Sequence, residues 1–431
     1  MLWLYRLLYL PALVLGAPYY LWRMRRRGGY RGSFAQRMGR VVGLPPKTPG
    51  RPRIWLQAVS VGEMLAIGPM LEAWHREQAA EVYLTTTTST GYRLAGERYA
   101  GIVAGVGYFP LDWWPFSRRA WRQVQPDLVI LTEGERWPEH IHQARVRGVP
   151  VVCVNARLSD RSYRRMQRVR WAVAPLLAGV TRVLACSAHD AELFRELGIP
   201  ADRIASTGNI KLDLAIPRLD AAGQAQLRRE LGLPATGLVL MGASTWAGEE
   251  TALIEAFRRA RAQGVDCALL LVPRHAERRG EFEALLGASG LSFHLRSRGA
   301  ATGTVDVAVG DTTGELRQFL QLADVVFVGK SLPPHTEGQT PVESAALGRA
   351  MVFGTGMGNF RAIARELLEQ GAVVQVADAA ALGATVVTLL RDPARRAALG
   401  AAAQAWHRAN VGAVERTLAE VQCVLGRKTG T

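Results

Sequence analysis

A chain of 431 residues, 48% hydrophobic and 21% charged, has enough apolar material for two or three packed domains, which excludes a disordered polar chain. Its formal net charge of +16 calls for an anionic partner: nucleic acid, anionic lipid or an acidic substrate. The four cysteines, Cys153, Cys186, Cys267 and Cys423, form no CxxC pair, which argues against a disulfide framework or a zinc site and fits a reducing compartment.

The first element, Leu7 to Trp22, is almost wholly apolar. It is short against the roughly 20 residues of a spanning helix, and Pro11 and Pro18 interrupt it. No acid occurs before Glu63, while Arg23, Arg25, Arg26, Arg27, Arg31, Arg37 and Arg40 crowd the flank. A cleaved signal would place its charges first, so residues 1–45 read as an uncleaved anchor with a basic flank. The anchor spans the inner membrane or lies on it, with the flank and the domains that follow on the cytoplasmic side. Basicity beside the most apolar stretch, rather than on a folded recognition element, points to membrane lipids as partners and not to nucleic acid.

From Arg53 onward, short runs of Val, Ile and Leu alternate with helical stretches. Ile54–Val59, Glu81–Thr86, Leu128–Thr132, Val149–Asn155 and Val183–Ser187 read as strands, with helices at Glu63–Gln78 and Pro138–Arg147 among them. The pattern weakens near Asp213–Leu219 and restarts with strands at Leu238–Ala243, Cys267–Val272, Val325–Val328, Met351–Gly354 and Val373–Val376. Helices are expected at Thr251–Gln263, Gly314–Leu322 and Pro341–Leu347, and a long one from about Pro393 to Val424 that packs back across the linker. Alternation of this kind predicts an α/β protein of two Rossmann-like, doubly wound domains, 46–213 and 214–431, with a cleft between them.

Two glycine motifs mislead. Val328-Gly329-Lys330-Ser331 resembles the end of a phosphate loop, but Asp324 stands where a Walker sequence needs Gly. Gly354-Thr355-Gly356-Met357-Gly358-Asn359 lacks the third dinucleotide glycine, and a tight strand-to-helix turn accounts for it. No HExxH, DxD or histidine cluster is present, so neither a metal nor a cofactor is implied.

The chemistry-bearing residues fall at strand ends, where doubly wound sheets bind ligands. After Ile54–Val59, Ser60-Val61-Gly62-Glu63 delivers a carboxylate to the mouth of the sheet; it reads equally as a catalytic base or as a first-turn residue favoured by the helix dipole. After Leu128–Thr132 comes Glu133-Gly134-Glu135-Arg136-Trp137-Pro138, two carboxylates in a segment stiffened by Trp and Pro. Lys211 is one of just four lysines among 53 basic residues, which suggests that a compact ammonium is wanted beside the linker. Later, Pro273-Arg274 offers a guanidinium for a phosphate or carboxylate, or merely a surface ion pair. Asp311-Thr312-Thr313-Gly314-Glu315 opens a helix as an N-cap or a phosphate site. Thr340-Pro341-Val342-Glu343 places a carboxylate where it can accept from two ribose hydroxyls or simply sit in a first turn.

Taken in this order, Ala58–Glu63, Pro126–Pro138, Val154–Arg161, Thr207–Asp213, Ala243–Glu250, Pro273–His275 and Asp311–Leu316 resemble the 3-deoxy-D-manno-octulosonic acid (Kdo) transferases of lipopolysaccharide synthesis. The resemblance runs from the N-terminal segment to about Asn359-Phe360. It implies a GT-B architecture, CMP-Kdo as donor, a lipid A precursor as acceptor, and an inverting transfer without metal. It further implies Glu63 as general base and Glu135 and Lys211 as transition-state stabilisers. Pro273, Arg274, Thr313, Gly314, Glu315 and the Thr340-Pro341-Val342-Glu343 stretch would line the CMP site. The chain departs from the family at Thr340, where Asn is usual, at Gln57, where His is common, and in Pro333–Gln339, which replaces a glycine-rich lead-in. A transferase or epimerase acting on another nucleotide sugar, and a non-catalytic nucleotide-binding module, are the competing readings.

Overall fold

The computed structural model describes residues 2–27, 34–134, 136–214 and 216–429, and they form two compact units. One comprises Met1–Asp213 with Val411–Thr431, and the other Leu214–Asn410.

The first unit holds seven parallel strands: β1 (Arg53–Gln57), β2 (Glu81–Thr86), β3 (Gly105–Tyr108), β4 (Leu128–Thr132), β5 (Val151–Ala156), β6 (Arg182–Ala185) and β7 (Ile204–Ser206). They lie in the order β3-β2-β1-β4-β5-β6-β7. Both faces are covered, which is why the central strands are continuous apolar runs. Alternation sends Ile54, Leu56 and Ile130 into one core, and Trp55, Val129 and Leu131 into the other. Strand order reverses between β1 and β4, so the loops leaving these two strands flank a topological switch point, the usual ligand position in such sheets.

The second unit repeats the plan with β8 (Leu238–Thr245), β9 (Cys267–Pro273), β10 (Phe293–Leu295), β11 (Val307–Val309), β12 (Val325–Val328), β13 (Ala350–Gly354) and β14 (Val373–Val376). The order is β10-β11-β9-β8-β12-β13-β14, again all parallel, with the switch between β8 and β12.

Four short strands escape the sequence pattern. β3 is Gly-Val-Gly-Tyr, and β7, β10 and β11 have three residues each, too few to show a period. The helix expected at Glu63–Gln78 is two, Val61–Ala66 and Gly68–Arg76, because Pro69 begins a new first turn after Ile67. The C-terminal stretch likewise breaks into Pro393–Asn410 and Ala413–Thr429. Residues 411–431 group with the first unit, whereas the sequence pattern runs the second domain to 431. Asp213 makes the junction, accepting from the amides of Gly412 (2.8 Å) and Val414, while Arg416 donates to the Thr207 carbonyl at 2.9 Å.

The N-terminal helix Leu2–Arg27 continues through Pro11 and Pro18. It is fastened to the first unit by Tyr5, which donates to Asp112 at 2.8 Å, and by Arg6, whose guanidinium meets the fully buried Glu139 at 2.7 and 3.0 Å. The Asp112 amide donates to Tyr9 at 3.1 Å. Trp3, Leu7 and Leu15 are left 76%, 70% and 81% exposed. Among the described residues no helix is long and apolar enough to cross a membrane. Arg31 lies outside the described residues, as do the side chains of Arg23, Arg25, Arg26 and Arg27.

Candidate active site

Glu63 sits at the switch point of the first unit, in the first turn of Val61–Ala66, and is 9% exposed. Ser60 caps that helix by accepting from the Glu63 amide at 3.2 Å and returns a hydroxyl hydrogen bond to Glu63 Oε1 at 2.9 Å. The second oxygen, Oε2, accepts from the Val59 amide at 3.0 Å and from the Thr132 hydroxyl at the end of β4. Glu63 is therefore a capping residue and a carboxylate aimed across the switch point at once. The two sequence readings describe one geometry.

Glu133 follows Thr132 with a φ of +50°, a left-handed conformation costly for a residue with a side chain. It is held by the Lys211 ammonium and by Arg157 at 3.4 Å. A Cβ at Gly62 would lie 4.0 Å from Lys211 Nζ, so the ammonium stands over the helical turn that carries Glu63. Asn155, at the end of β5 and also left-handed (φ +51°), fixes the lysine's segment by accepting from the Ile210 amide at 3.1 Å. Asn209 then accepts from the Lys211 amide at 3.0 Å. Glu135 lies outside the described residues. Thr132, Asn155 and Arg157 were not singled out from sequence. In the sequence Thr132 is simply the last residue of an apolar strand, and the other two fall within the Val154–Arg161 motif, which carries no chemical signal of its own.

A recess of about 400 Å³ in the same unit is lined by Arg37, Val59, Phe109, Leu111, Arg136 and Trp137. Because Val59 both lines it and donates to Glu63, the recess opens beside the carboxylate. Its walls are aromatic and apolar, and among the described residues that line it the only charged ones are Arg37 and Arg136.

In the second unit, Pro273 ends β9, and Arg274 is an exposed side chain whose amide donates to the Thr245 carbonyl at 3.1 Å. Thr313 and Gly314 are exposed; Gly314 has φ +95° and nothing within 4 Å of where a Cβ would project. Glu315 takes the Arg296 guanidinium at 3.1 Å and the Thr312 hydroxyl. Burial works against its charge, but these donors outweigh it and hold the carboxyl below its ordinary range. Thr340 accepts from the Val342 amide and donates to Glu343, each at 3.2 Å, and Arg317 approaches Glu343 to 3.8 Å. A hydroxyl thus makes the turn where the family usually has Asn. The helix Leu316–Phe319 starts directly after Glu315 and carries Arg317, so it joins the Glu315 and Glu343 clusters.

Gln57 is fully buried and accepts from the Thr85 hydroxyl at 2.8 Å, a role inside the sheet.

A family profile described as "3-Deoxy-D-manno-octulosonic-acid transferase (kdotransferase)" matches residues 32–214. The 3-deoxy-D-manno-octulosonic acid transferase of Bordetella pertussis is 37% identical, across 94% of this chain and 96% of that one. The Haemophilus influenzae protein of the same description is 31% identical, across 96% and 93%. Among solved structures, Anabaena HepE in complex with UDP aligns with a TM-score of 0.57 at 16% identity, over 86% of this chain and 99% of that one, a likeness of fold.

Proposed function

The chain belongs to the 3-deoxy-D-manno-octulosonic acid transferase family and is a glycosyltransferase of lipopolysaccharide biosynthesis; from that premise we propose how its residues carry out the transfer. The observation that bears the most weight is Glu63. A carboxylate accepts about four hydrogen bonds. Glu63 receives two on Oε2 and one on Oε1, which leaves a position on Oε1 for a substrate hydroxyl. The acceptor O–H gives its proton to Glu63. Its oxygen bonds to the anomeric carbon of Kdo as the bond from that carbon to the phosphate oxygen breaks, and CMP leaves with the electron pair. Lys211 supplies positive charge to the group that departs, with Glu133 holding the ammonium in place. Arg274, Thr313, Gly314, Glu315 and Glu343 bind the CMP moiety.

The recess beside Val59 takes the sugar-phosphate head of the lipid acceptor, its two arginines facing phosphate and its aromatic walls facing the sugar. The helix Leu2–Arg27 lies in the membrane interface with Trp3, Leu7 and Leu15 toward lipid, on the cytoplasmic side of the inner membrane. Incubation of the protein with CMP-Kdo and tetra-acylated lipid A precursor, read by product mass, tests the reading. One or more Kdo residues should be added. Stabilisation by UDP and not by CMP in thermal melts would point to another donor. Flotation with anionic vesicles tests the helix: Leu7→Gln/Leu15→Gln should release the protein, and unchanged flotation would rule the interfacial reading out.

A further inference from the structure

At the switch point of the second unit stands a group of side chains with no role in the scheme above. β8 closes with Ser244, left-handed at φ +56°, and Thr245, and Trp246 follows; β12 leads into Gly329 and Lys330, the latter left-handed at φ +57°. These two loops approach so closely that a Cβ at Gly329 would fall 2.3 Å from the Ser244 carbonyl oxygen. Glu249, 1% exposed, locks them together, accepting from the amides of Trp246, Lys330, Ser331 and Leu332 at 2.7–3.1 Å.

On this fixed backbone the Lys330 ammonium lies 4.1 Å from the Trp246 ring centroid. His275 packs edge-on against the same indole at 5.2 Å, and His335 lies 6.1 Å from it. The indole N–H and the Thr245 hydroxyl, both buried, have no hydrogen-bond partner among the described residues, and Thr245 is fully buried. The charge on Lys330 is met by Glu337 at 3.3 Å, a residue on the polar loop whose carboxyl is 46% exposed and accepts besides from the Thr336 amide at 3.1 Å.

An aromatic face and a half-desolvated ammonium, beside Arg274, suit a sugar that bears a carboxylate. The carboxylate pairs with the ammonium, and the ring's C–H face lies on the indole. We propose that Trp246 and Lys330 form the subsite for the carboxylated sugar of the donor, with Glu337 occupying the position of the sugar's carboxylate until the donor displaces it. This assignment rests on the transferase reading above. It adds specificity for an acidic sugar, which the nucleotide contacts alone do not give.

Equilibrium binding of CMP and of CMP-Kdo to the full chain separates the two ideas. In the wild-type protein CMP-Kdo should bind more tightly than CMP. Lys330→Met should weaken CMP-Kdo by about tenfold while CMP stays within about twofold, the loss expected for one charge-assisted pair. Glu337→Gln should tighten CMP-Kdo severalfold and leave CMP alone, and it needs no change to the packed Lys330 side chain. If Lys330→Met weakens both ligands equally, or neither, or if Glu337→Gln weakens CMP-Kdo, the subsite is wrong although the transferase reading stands. If the wild-type protein binds neither ligand, the donor reading fails, and the subsite with it.

Discussion

Glu63 and Glu249 occupy equivalent places in the two units and are held in opposite ways. Each lies in the first turn of the helix that follows a strand at the switch point of its sheet, β1 or β8; Glu63 reaches across to the last residue of the facing strand β4, and Glu249 to the segment after β12. Glu249 fills its two oxygens with four backbone amides, two on each, all supplied by loops that it thereby fixes. Burial pushes its carboxyl up while those amides pull against the rise. Glu63 has one amide and two hydroxyls, and among the described residues one oxygen keeps an open position. Position in the fold therefore does not make a carboxylate catalytic. A residue saturated by immobile backbone donors is architecture, and one held by rotatable hydroxyls with an unused lone pair can exchange a proton.

The largest effect expected from this contrast is on turnover. In Glu63→Gln, the amide can present its oxygen to Val59 and Thr132 and its NH₂ to Ser60, whose hydroxyl can turn to accept. Stability should move by no more than about 1 kcal/mol, while turnover falls by roughly 10²–10⁴, the usual worth of a general base. A folded Glu63→Gln protein with near wild-type turnover would end the comparison. Glu249→Gln should behave in reverse. An NH₂ must then face two backbone N–H groups whichever way the amide turns, so two buried donors lose their acceptor at about 1–3 kcal/mol each. Denaturant melts should show a loss of roughly 2–6 kcal/mol. Turnover per folded molecule at saturating donor should remain within about threefold, far from the loss at Glu63. Equal losses of activity in the two variants would show that saturation does not distinguish the sites.

Much of this was legible in sequence, for identifiable reasons. Strands covered on both faces are continuous apolar runs, so β4, β9, β12 and β13 show in the chain, and Ser60-Val61-Gly62-Glu63 carries its own capping signature. What stayed hidden depends on partners far away in the chain. Nothing near Thr132 says that its hydroxyl meets a carboxylate 69 residues earlier, and nothing near Arg6 announces Glu139, 133 residues on. The exchange of the last helix to the first unit turns on Asp213, about two hundred residues before it. The saturation that separates Glu249 from Glu63 is a property of loop backbone, which composition and spacing do not encode.

Thr132→Val sharpens the contrast at smaller scale. Thr132 is 1% exposed, so valine keeps the packing while removing the donor to Glu63 Oε2. The carboxylate should lose orientation rather than function, with turnover down about tenfold and stability within about 1 kcal/mol. Thr132→Ser, which restores the hydroxyl, should recover most of the rate. A large drop in melting temperature with unchanged turnover would make Thr132 a packing residue alone.

Asp112 provides a third way to hold a carboxylate, and the smallest effect. It lies in the loop after β3, 1% exposed, and caps the helix Pro138–Val146 by accepting from the amides of Glu139 and His140 at 2.9 Å, with Tyr5 of the N-terminal helix as a third donor. Burial dominates and pushes its carboxyl up to about 7, against the pull of those donors, and the Glu139 charge adds to the rise. An unfolded Asp titrates near 3.9, so between the two values the folded protein holds a proton that the unfolded chain has lost. The resulting stabilisation is complete below about pH 4 and disappears as pH rises through about 7. For this one group the change between pH 6 and 7 is about 1 kcal/mol. Asp112→Asn removes the titration and one acceptor oxygen. It should lower stability throughout, but by less at pH 7 than at pH 5, because the wild-type protein loses its advantage as the carboxyl ionises. Urea melts of both proteins at pH 5, 6, 7 and 8 measure the gap directly. A gap that is constant or widens with pH would mean that Asp112 is ionised throughout, held as an anion by its amide donors like a buried cap, and that burial does not raise its carboxyl.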